Sequence, residues 1–285
     1  MENRDSRLPF DAVFCDTCIG GSTVLSALAR SRTGLRAHFL ADYAVNPLGT
    51  KNRAGITSAL VRWLDRCEGR ADTLVVACNT ASVRLRDCPG VVREAAGRGI
   101  KVFSMVDLLD RALAARAADI RGRTVCLMGT EFTVGRPLYT ERLPAAGAGA
   151  VVPLPATRTE RRVAHLDFRS DEGRADIRNE VAGTVSGSDT VVLACTCFPL
   201  VTDILREVNE DLRFIDPAPE IRSIPGLEGG PGPNRLEVAV SGRVVDPERV
   251  HAEAQPLFAG WEMEQVLTLP EADPIERLDS DTARA

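Results

Sequence analysis

Short runs that are apolar at nearly every position alternate along the chain with segments of helical spacing, and this alternation constrains the fold more than any other feature. "DAVFC" (11–15), "LRAHFLA" (35–41), "TLVVAC" (73–78), "IKVFSM" (100–105), "TVCLMG" (124–129), "GAVVPL" (149–154), "TVVLAC" (190–195) and "LRFID" (212–216) have strand character. Helical spacing fills the gaps: "IGGSTVLSALARS" after the first strand, then "GITSALVRWLDRC", "TASVRLRDC" and "VDLLDRALAARA". "TVGRPLYTERLPAAG" predicts a helix with Pro137 near its start or at a kink, two more helices are expected between Thr157 and Ser186, and another from Pro199 to about Asn209. Strands that are apolar on both faces need cover on both sides, which helical crossovers between parallel strands supply. The chain therefore reads as α/β, with mainly parallel sheets flanked by helices in two similar halves.

Beyond these units, "IPGLEGGPGPNR" is rich in glycine and proline and is expected to be an exposed loop. "RLEVAVSG", "DPERVHAEAQPLF" and "EMEQVLTL" then read as strand, helix capped by Asp246, and strand, rejoining the first half. The expected organisation is a first domain over 10–104 completed by 217–268, a second over 105–216, and a polar tail over 269–285 that lacks the apolar residues to order itself.

A net charge of −5 without any Lys/Arg block gives no footprint for nucleic acid or an anionic membrane, so a small molecule is the expected partner. The opening "MENRDSRLPF" has no apolar stretch of signal-peptide type, and no run approaches a transmembrane span, which predicts a cytoplasmic protein. Eight cysteines in such a compartment are expected to be reduced thiols.

Two of them stand in matching contexts. "TLVVACNTAS" and "TVVLACTCFP" both end an apolar run with Ala-Cys and continue with small polar residues, which puts Cys78 and Cys195, 117 positions apart, at strand ends where helices begin. Ligands of open parallel sheets bind at that edge. A helix N-terminus also favours a thiolate, so both thiols are expected to be acidified below about 8.5. The alternative is that each is a small buried hydrophobe, the commonest fate of free cysteine.

These residues carry a family resemblance. "VFCDTCIGGSTVL" resembles the glutamate racemase motif FDSGVGGLTVL, "NPLGTKN" its PYGTKS, "VVACNTAS" its VVACNTA, "MGTEFTVGRPLY" its GTxGTVxSxxY, and "VVLACTCFPLV" its GCTHYPLL. "FIDPAPE" and "VAVSGRVVDPERV" resemble the closing segments, so the likeness runs in order from about Val13 to Leu267. The chain is thus similar to the aspartate/glutamate racemase superfamily. The resemblance implies two pseudo-symmetric α/β domains facing a cleft with one cysteine on each side. One thiolate would remove the α-proton of an amino acid while the opposite thiol returns a proton to the other face. No cofactor and no metal are implied, nothing in the sequence suggests pyridoxal phosphate or a nucleotide, and a homodimer is allowed. An amino acid or small dicarboxylate is the implied partner.

General acid–base catalysis by the thiols supplies only about 10² to 10⁴-fold, so donors aimed at the substrate carboxylate must add to it, each worth about 3 to 4 kcal/mol. By the resemblance, Asn79, Thr80 and Thr196 would bind that carboxylate, Gly49 with its neighbours Pro47 and Leu48 would hold the distal group, and Thr130 and Thr133 would assist from the second domain. Helix N-capping is the plain alternative for Thr80 and Thr130. Asp16 would accept the ammonium group or tune Cys78, and Thr17 would present a hydroxyl.

This chain departs from the motif at several points. Asp-Ser-Gly is here Asp16, Thr17 and Cys18; PYG is Pro47, Leu48 and Gly49; and the His or Glu after the second Cys-Thr is Cys197. A protonated thiol accepts hydrogen bonds poorly, so Cys197 is expected to assist Cys195 less than an imidazole or carboxylate does. Glutamate is therefore not assured as the substrate. An isomerase or decarboxylase of a small dicarboxylic acid and a non-catalytic binding protein are the competing readings. The pairs Cys15/Cys18 and Cys195/Cys197 also admit a four-thiolate zinc site, and Cys15/Cys18 a redox pair. Cys67, Cys88 and Cys126 read as packing residues, as do His38, His165 and His251, and Arg158, Arg161 and Arg162 as a solvated helix face that is also able to meet an acidic substrate.

Overall fold

The structure is a computed structural model that describes residues 8–242 and 247–269. Among the described residues, ten strands form two sheets. β1 (Ala12–Asp16), β2 (Arg36–Asp42), β3 (Thr73–Val76) and β4 (Lys101–Ser104) come from the first half of the chain. β5 (Thr124–Gly129), β6 (Ala150–Pro155), β7 (Thr190–Ala194) and β8 (Arg213–Ile215) come from the second, and β9 (Asn234–Ser241) and β10 (Trp261–Leu269) follow. The first sheet has the order β10-β9-β2-β1-β3-β4 and the second β6-β5-β7-β8. Every pairing is parallel.

The order β2-β1-β3-β4 repeats as β6-β5-β7-β8, which makes the halves pseudo-symmetric. In each, the chain winds outward in one direction from β1 (or β5) and then returns to the other side at β3 (or β7). The crevice at such a reversal lies beyond the carboxyl ends of the two strands. Asp16 ends β1 and Cys78 follows β3; Thr130 follows β5 and Cys195 follows β7. Connectivity alone thus brings these residues to two equivalent crevices.

β1, β3 and β7 are buried along their whole length, which explains their unbroken apolar character. The helix Arg53–Cys67 covers one face of the first sheet with Ile56, Leu60, Trp63 and Leu64, and Asn52 caps it by accepting from the Gly55 N–H at 2.7 Å. The other face of the same sheet shares one continuous core with a face of the second: Phe14, Phe39 and Phe258 belong to the same cluster as Met128, Leu193 and Phe198. Polar ties reinforce the junction. The Tyr43 hydroxyl donates to the Ala164 carbonyl at 2.7 Å, and the Thr23 hydroxyl to the Thr196 carbonyl at 3.0 Å.

Local punctuation accounts for the departures from the sequence expectation. A helix over Pro89–Gly97 was not expected; it buries only Val91 and Ala95, too few positions to show a period. The helix expected over 133–147 is two, Glu131–Val134 and Pro137–Ala145. Pro137 is the first helical residue of the second, where its fixed φ helps and its missing N–H costs nothing. Pro199 lies in a 3-10 turn, Phe198–Val201, that precedes the helix Thr202–Val208. The expected Asp246 cap, the side chain of His251 and the expected tail from 270 onward lie outside the described residues. No helix among the described residues is long and apolar enough to cross a membrane.

Candidate active site

The two crevices face each other across a cavity of about 290 Å³ whose wall includes Cys78 and Cys195. Of the residues that the resemblance assigns to catalysis or substrate binding, all but Thr133 line this wall, and Thr133 sits one layer behind. There its hydroxyl lies 3.0 Å from that of Thr130 and 3.5 Å from that of Thr80. Thr80 and Thr130 meet at 3.2 Å, so a hydroxyl cluster joins the helix after Cys78 to the second half. Thr130 also caps its own helix by accepting from the Thr133 N–H. The capping role and the wall position coexist.

On the first side, Cys78 occupies the N-cap position of the helix Asn79–Arg86. Its thiol is not acidified as the sequence suggested. Burial dominates and pushes it well above its ordinary value, the nearby Asp16 carboxylate adds to that, and the Ala81 N–H at the helix start pulls the other way without winning. A helix terminus stabilises a thiolate by a fraction of what removing water from it costs. The Thr17 hydroxyl lies 3.7 Å from the Cys78 sulfur. Asn79 donates to the Tyr139 hydroxyl at 2.8 Å, while its buried Oδ1 has no partner.

Asp16 touches both sides. One carboxylate oxygen accepts from the Thr17 N–H at 2.7 Å and the other from the Thr196 hydroxyl at 2.8 Å. Burial raises it to about 7, against the lowering effect of hydrogen bonds from Thr196, Cys78 and the Thr17 backbone. A carboxyl balanced there is able to hold or release a proton near neutral pH.

On the second side, Cys195 is followed by Thr196 and Cys197 before the 3-10 turn, with no α-helix starting at it. Cys197 is fully buried, and its bonds to Cys18 and Cys195, together with burial, keep its thiol protonated well above the ordinary range. Cys18 and Cys197 lie 3.5 Å apart, sulfur to sulfur. Gly20 makes room for this contact: a Cβ there would fall 2.8 Å from the Cys197 sulfur. Gly49 similarly lets the turn Leu48–Thr50 pass Phe132, whose Cβ would be 2.9 Å from an added methyl.

Asn46 and Glu160 are wall residues that sequence reasoning passed over. Asn46 donates to the Thr17 carbonyl and to the Glu160 carboxylate, both at 3.3 Å. Asn46 opens the quoted "NPLGTKN", and Glu160 stands within the arginine cluster, so both were visible but overshadowed. Glu131, Phe132, Thr50 and Thr157 complete what was missed, and no lysine, arginine or histidine contributes to the described wall.

Other expectations fall outside the cavity. Cys15 lies in β1 in a core on the opposite face, alongside Cys67, because successive strand residues alternate sides. Neither the four-thiolate site nor the Cys15/Cys18 redox pair can therefore assemble. Cys67, Cys88 and Cys126 are buried packing residues. His38 is held between Glu237 and Arg66, and burial with the neighbouring arginines pushes it down to about 3, so it is a neutral core residue. Arg162 is bound to Asp167, Glu172 and Asp176, and Arg158 to Glu180, away from the main cavity.

Residues 28–221 match the family described as Asp/Glu/Hydantoin racemase. Glutamate racemase of Gloeobacter violaceus is 29% identical over 268 residues, covering 90% of this chain and 95% of that protein. That of a Synechococcus strain is 28% identical over 228 residues, covering 77% and 80%. Among solved structures, glutamate racemase from Thermus thermophilus in complex with β-chloro-D-alanine aligns with a TM-score of 0.68 at 25% identity, covering 94% of this chain and 98% of that one. The Francisella tularensis enzyme in complex with D-glutamate, at 18% identity and a TM-score of 0.72 over 93% and 98%, shares the fold.

Proposed function

The chain belongs to the Asp/Glu/Hydantoin racemase family, and from this premise we propose that it is a cofactor-independent racemase or epimerase of an acidic or related amino acid, working by proton transfer between two cysteines. The observation that carries this reading is the placement of Cys78 and Cys195 at equivalent strand ends on the wall of one cavity. A carbon held between them exposes one face to each sulfur. One thiolate takes the α-proton as the opposite thiol delivers another, and the roles exchange for the reverse reaction.

The Cys78 thiol, held protonated by burial, is the resting acid on its side of the cycle. Asp16, bonded towards both Cys78 and Thr196, is the carboxyl suited to drawing a proton from the first of them. Negative charge that flows into the substrate carboxylate at the transition state is met by Asn79, Thr80 and Thr196, and preorganised donors in a dry site are worth about 3 to 4 kcal/mol each. The unpartnered Asn79 Oδ1 is an acceptor suited to a substrate ammonium. Thr17 would orient the Cys78 thiol, Thr130 and Thr133 would fix Thr80, and the turn of Pro47, Leu48 and Gly49 would seat the side chain. The reading takes 10–104 with 217–268 as the first domain and 105–216 as the second, because each supplies one sheet.

The decisive experiment is chiral analysis after incubating the protein with a panel of L- and D-amino acids. Appearance of the opposite enantiomer of at least one supports the reading; inertness towards the whole panel, from folded protein, overturns it.

A further inference from the structure

Two of the positions at which this chain departs from the racemase motif, Cys18 and Cys197, lie 179 residues apart in sequence and 3.5 Å apart in space. A third ligand-bearing group, the Glu160 carboxylate, joins them: the two sulfurs and a carboxylate oxygen all fall within 4.8 Å of one another. All three, though buried or nearly so, also line the cavity. We propose that Cys18, Cys197 and Glu160 form a binding site for a thiophilic divalent cation such as Zn²⁺, and that its occupancy switches racemisation off.

The spacing suits the ion. Thiolates at about 2.3 Å from a tetrahedral zinc stand about 3.7 Å apart, close to the separation found here and far from the ~2 Å of a disulfide. Two sulfurs and one carboxylate also make the soft, partly anionic donor set that selects zinc over magnesium or calcium. The Gly20 N–H donates to the Cys18 sulfur at 3.4 Å and the Asn46 amide to Glu160, so two ligands are oriented by neighbours, as metal ligands commonly are. Three protein ligands leave a fourth position facing the cavity. Binding converts two thiols to thiolates and releases both protons to solvent, with no change of oxidation state.

This differs from the four-cysteine arrangement that the sequence admitted. Cys15 is on the wrong face of its strand, and Glu160 takes part instead. The inhibitory effect follows from position: Cys18, Cys197 and Glu160 line the same cavity as Cys78 and Cys195. A dication held there, with the ligand that completes its coordination shell, takes up space that the substrate needs between Cys78 and Cys195.

The test is titration of the reduced, metal-free protein with Zn²⁺, and with Co²⁺ or Cd²⁺ as spectroscopic probes, under a non-thiol reductant. One ion per chain and a thiolate-to-metal charge-transfer band are expected for the wild type. The band should vanish in Cys18→Ala, Cys18→Ser and Cys197→Ala, persist in Cys78→Ser, and need about 10-fold more metal or beyond in Glu160→Gln. Circular dichroism checks that each variant is folded, and the Cys18 and Cys197 variants test the site independently. Chelator should restore any racemisation lost to the metal. Absence of the band in the wild type, its undiminished presence in the Cys18 variants, or its loss in Cys78→Ser would overturn the site, whatever the racemase assays give. Zinc binding without inhibition would overturn the switch.

Discussion

Cys78 and Cys195 occupy the same place in two copies of one topology, yet their surroundings differ in kind. Cys78 opens a regular α-helix, whose Ala81 N–H favours its thiolate, and is flanked by Asp16 and Thr17. Cys195 opens no α-helix; it is followed by a turn and a 3-10 segment, and its neighbour is the neutral thiol of Cys197. Repetition of the strand order brings two sulfurs to the wall of one cavity, but the groups around them come from loops of different sequence and shape. The two half-reactions are therefore expected to be unequal even though the scaffold is nearly symmetric.

The largest expected effect comes from breaking either side. Cys78→Ser or Cys195→Ser should lower racemisation by about 10² to 10⁴-fold, the span of general acid–base catalysis. Exchange of the α-proton with D₂O should survive for one enantiomer only, and for the opposite one in each variant. Full racemisation by either variant would end the two-thiol reading.

A smaller effect should sharpen the asymmetry in the unmodified protein. Activity on glutamate should be low or absent. The two enantiomers of the true substrate should take up deuterium at the α-position at different initial rates, measured by mass spectrometry or NMR. Cys197→His, which restores a stronger acceptor beside Cys195, should raise the slower rate. Matched rates with robust glutamate racemisation would show that the neutral thiol is no handicap.

Asp16 provides a third comparison, through stability. Its carboxyl rises from an ordinary value near 4 to about 7 in the fold, so between those values the native state binds more protons than the unfolded chain. Stability should fall as pH climbs from about 4 to about 7. Asp16→Asn should flatten this slope by an amount on the order of 3 to 4 kcal/mol in chemical denaturation at the two ends of the window. Glu160 and Asp216, also raised by burial, leave a residual slope of the same sign. An unchanged pH profile in Asp16→Asn would show that the carboxyl titrates normally.

The smallest expected shift along the pH axis comes from Thr196→Val, which removes the one hydrogen bond that Asp16 receives from the second half, worth about 1.5 to 3 kcal/mol to a charged acceptor. Without it the Asp16 carboxyl should rise further, and the lower limb of the activity-versus-pH curve should move to higher pH. A curve that does not move would mean that Asp16 does not govern it.

Much of this was legible in the sequence because it rests on short-range pattern. Strands apolar on both faces are visible as unbroken runs, and Cys78 and Cys195 sit beside them in recognisable motifs. What escaped notice depends on distance or desolvation. The Cys18–Cys197 contact joins residues from opposite halves, Glu160 reaches the cavity from a helix whose local pattern is dominated by arginines, and the direction of the Cys78 shift is decided by burial. The helix Pro89–Gly97 escaped for a simpler reason, since a helix that buries two side chains leaves almost no periodic trace.

The return of β9 and β10 to the first sheet imposes an order in time on the growing chain. β2 leaves the ribosome early, but the strand that pairs with its outer edge begins about 190 residues later, after the whole second sheet. At the usual rate of about 5 to 20 residues per second, that edge stays open for roughly 10 to 40 s. Its unpaired N–H and C=O groups are a template for any other extended segment during that interval. Newly made chains should therefore depend on chaperone protection between synthesis of the two halves, and a nascent chain halted before Asn234 should aggregate through β2, although everything that builds the cavity has already been made.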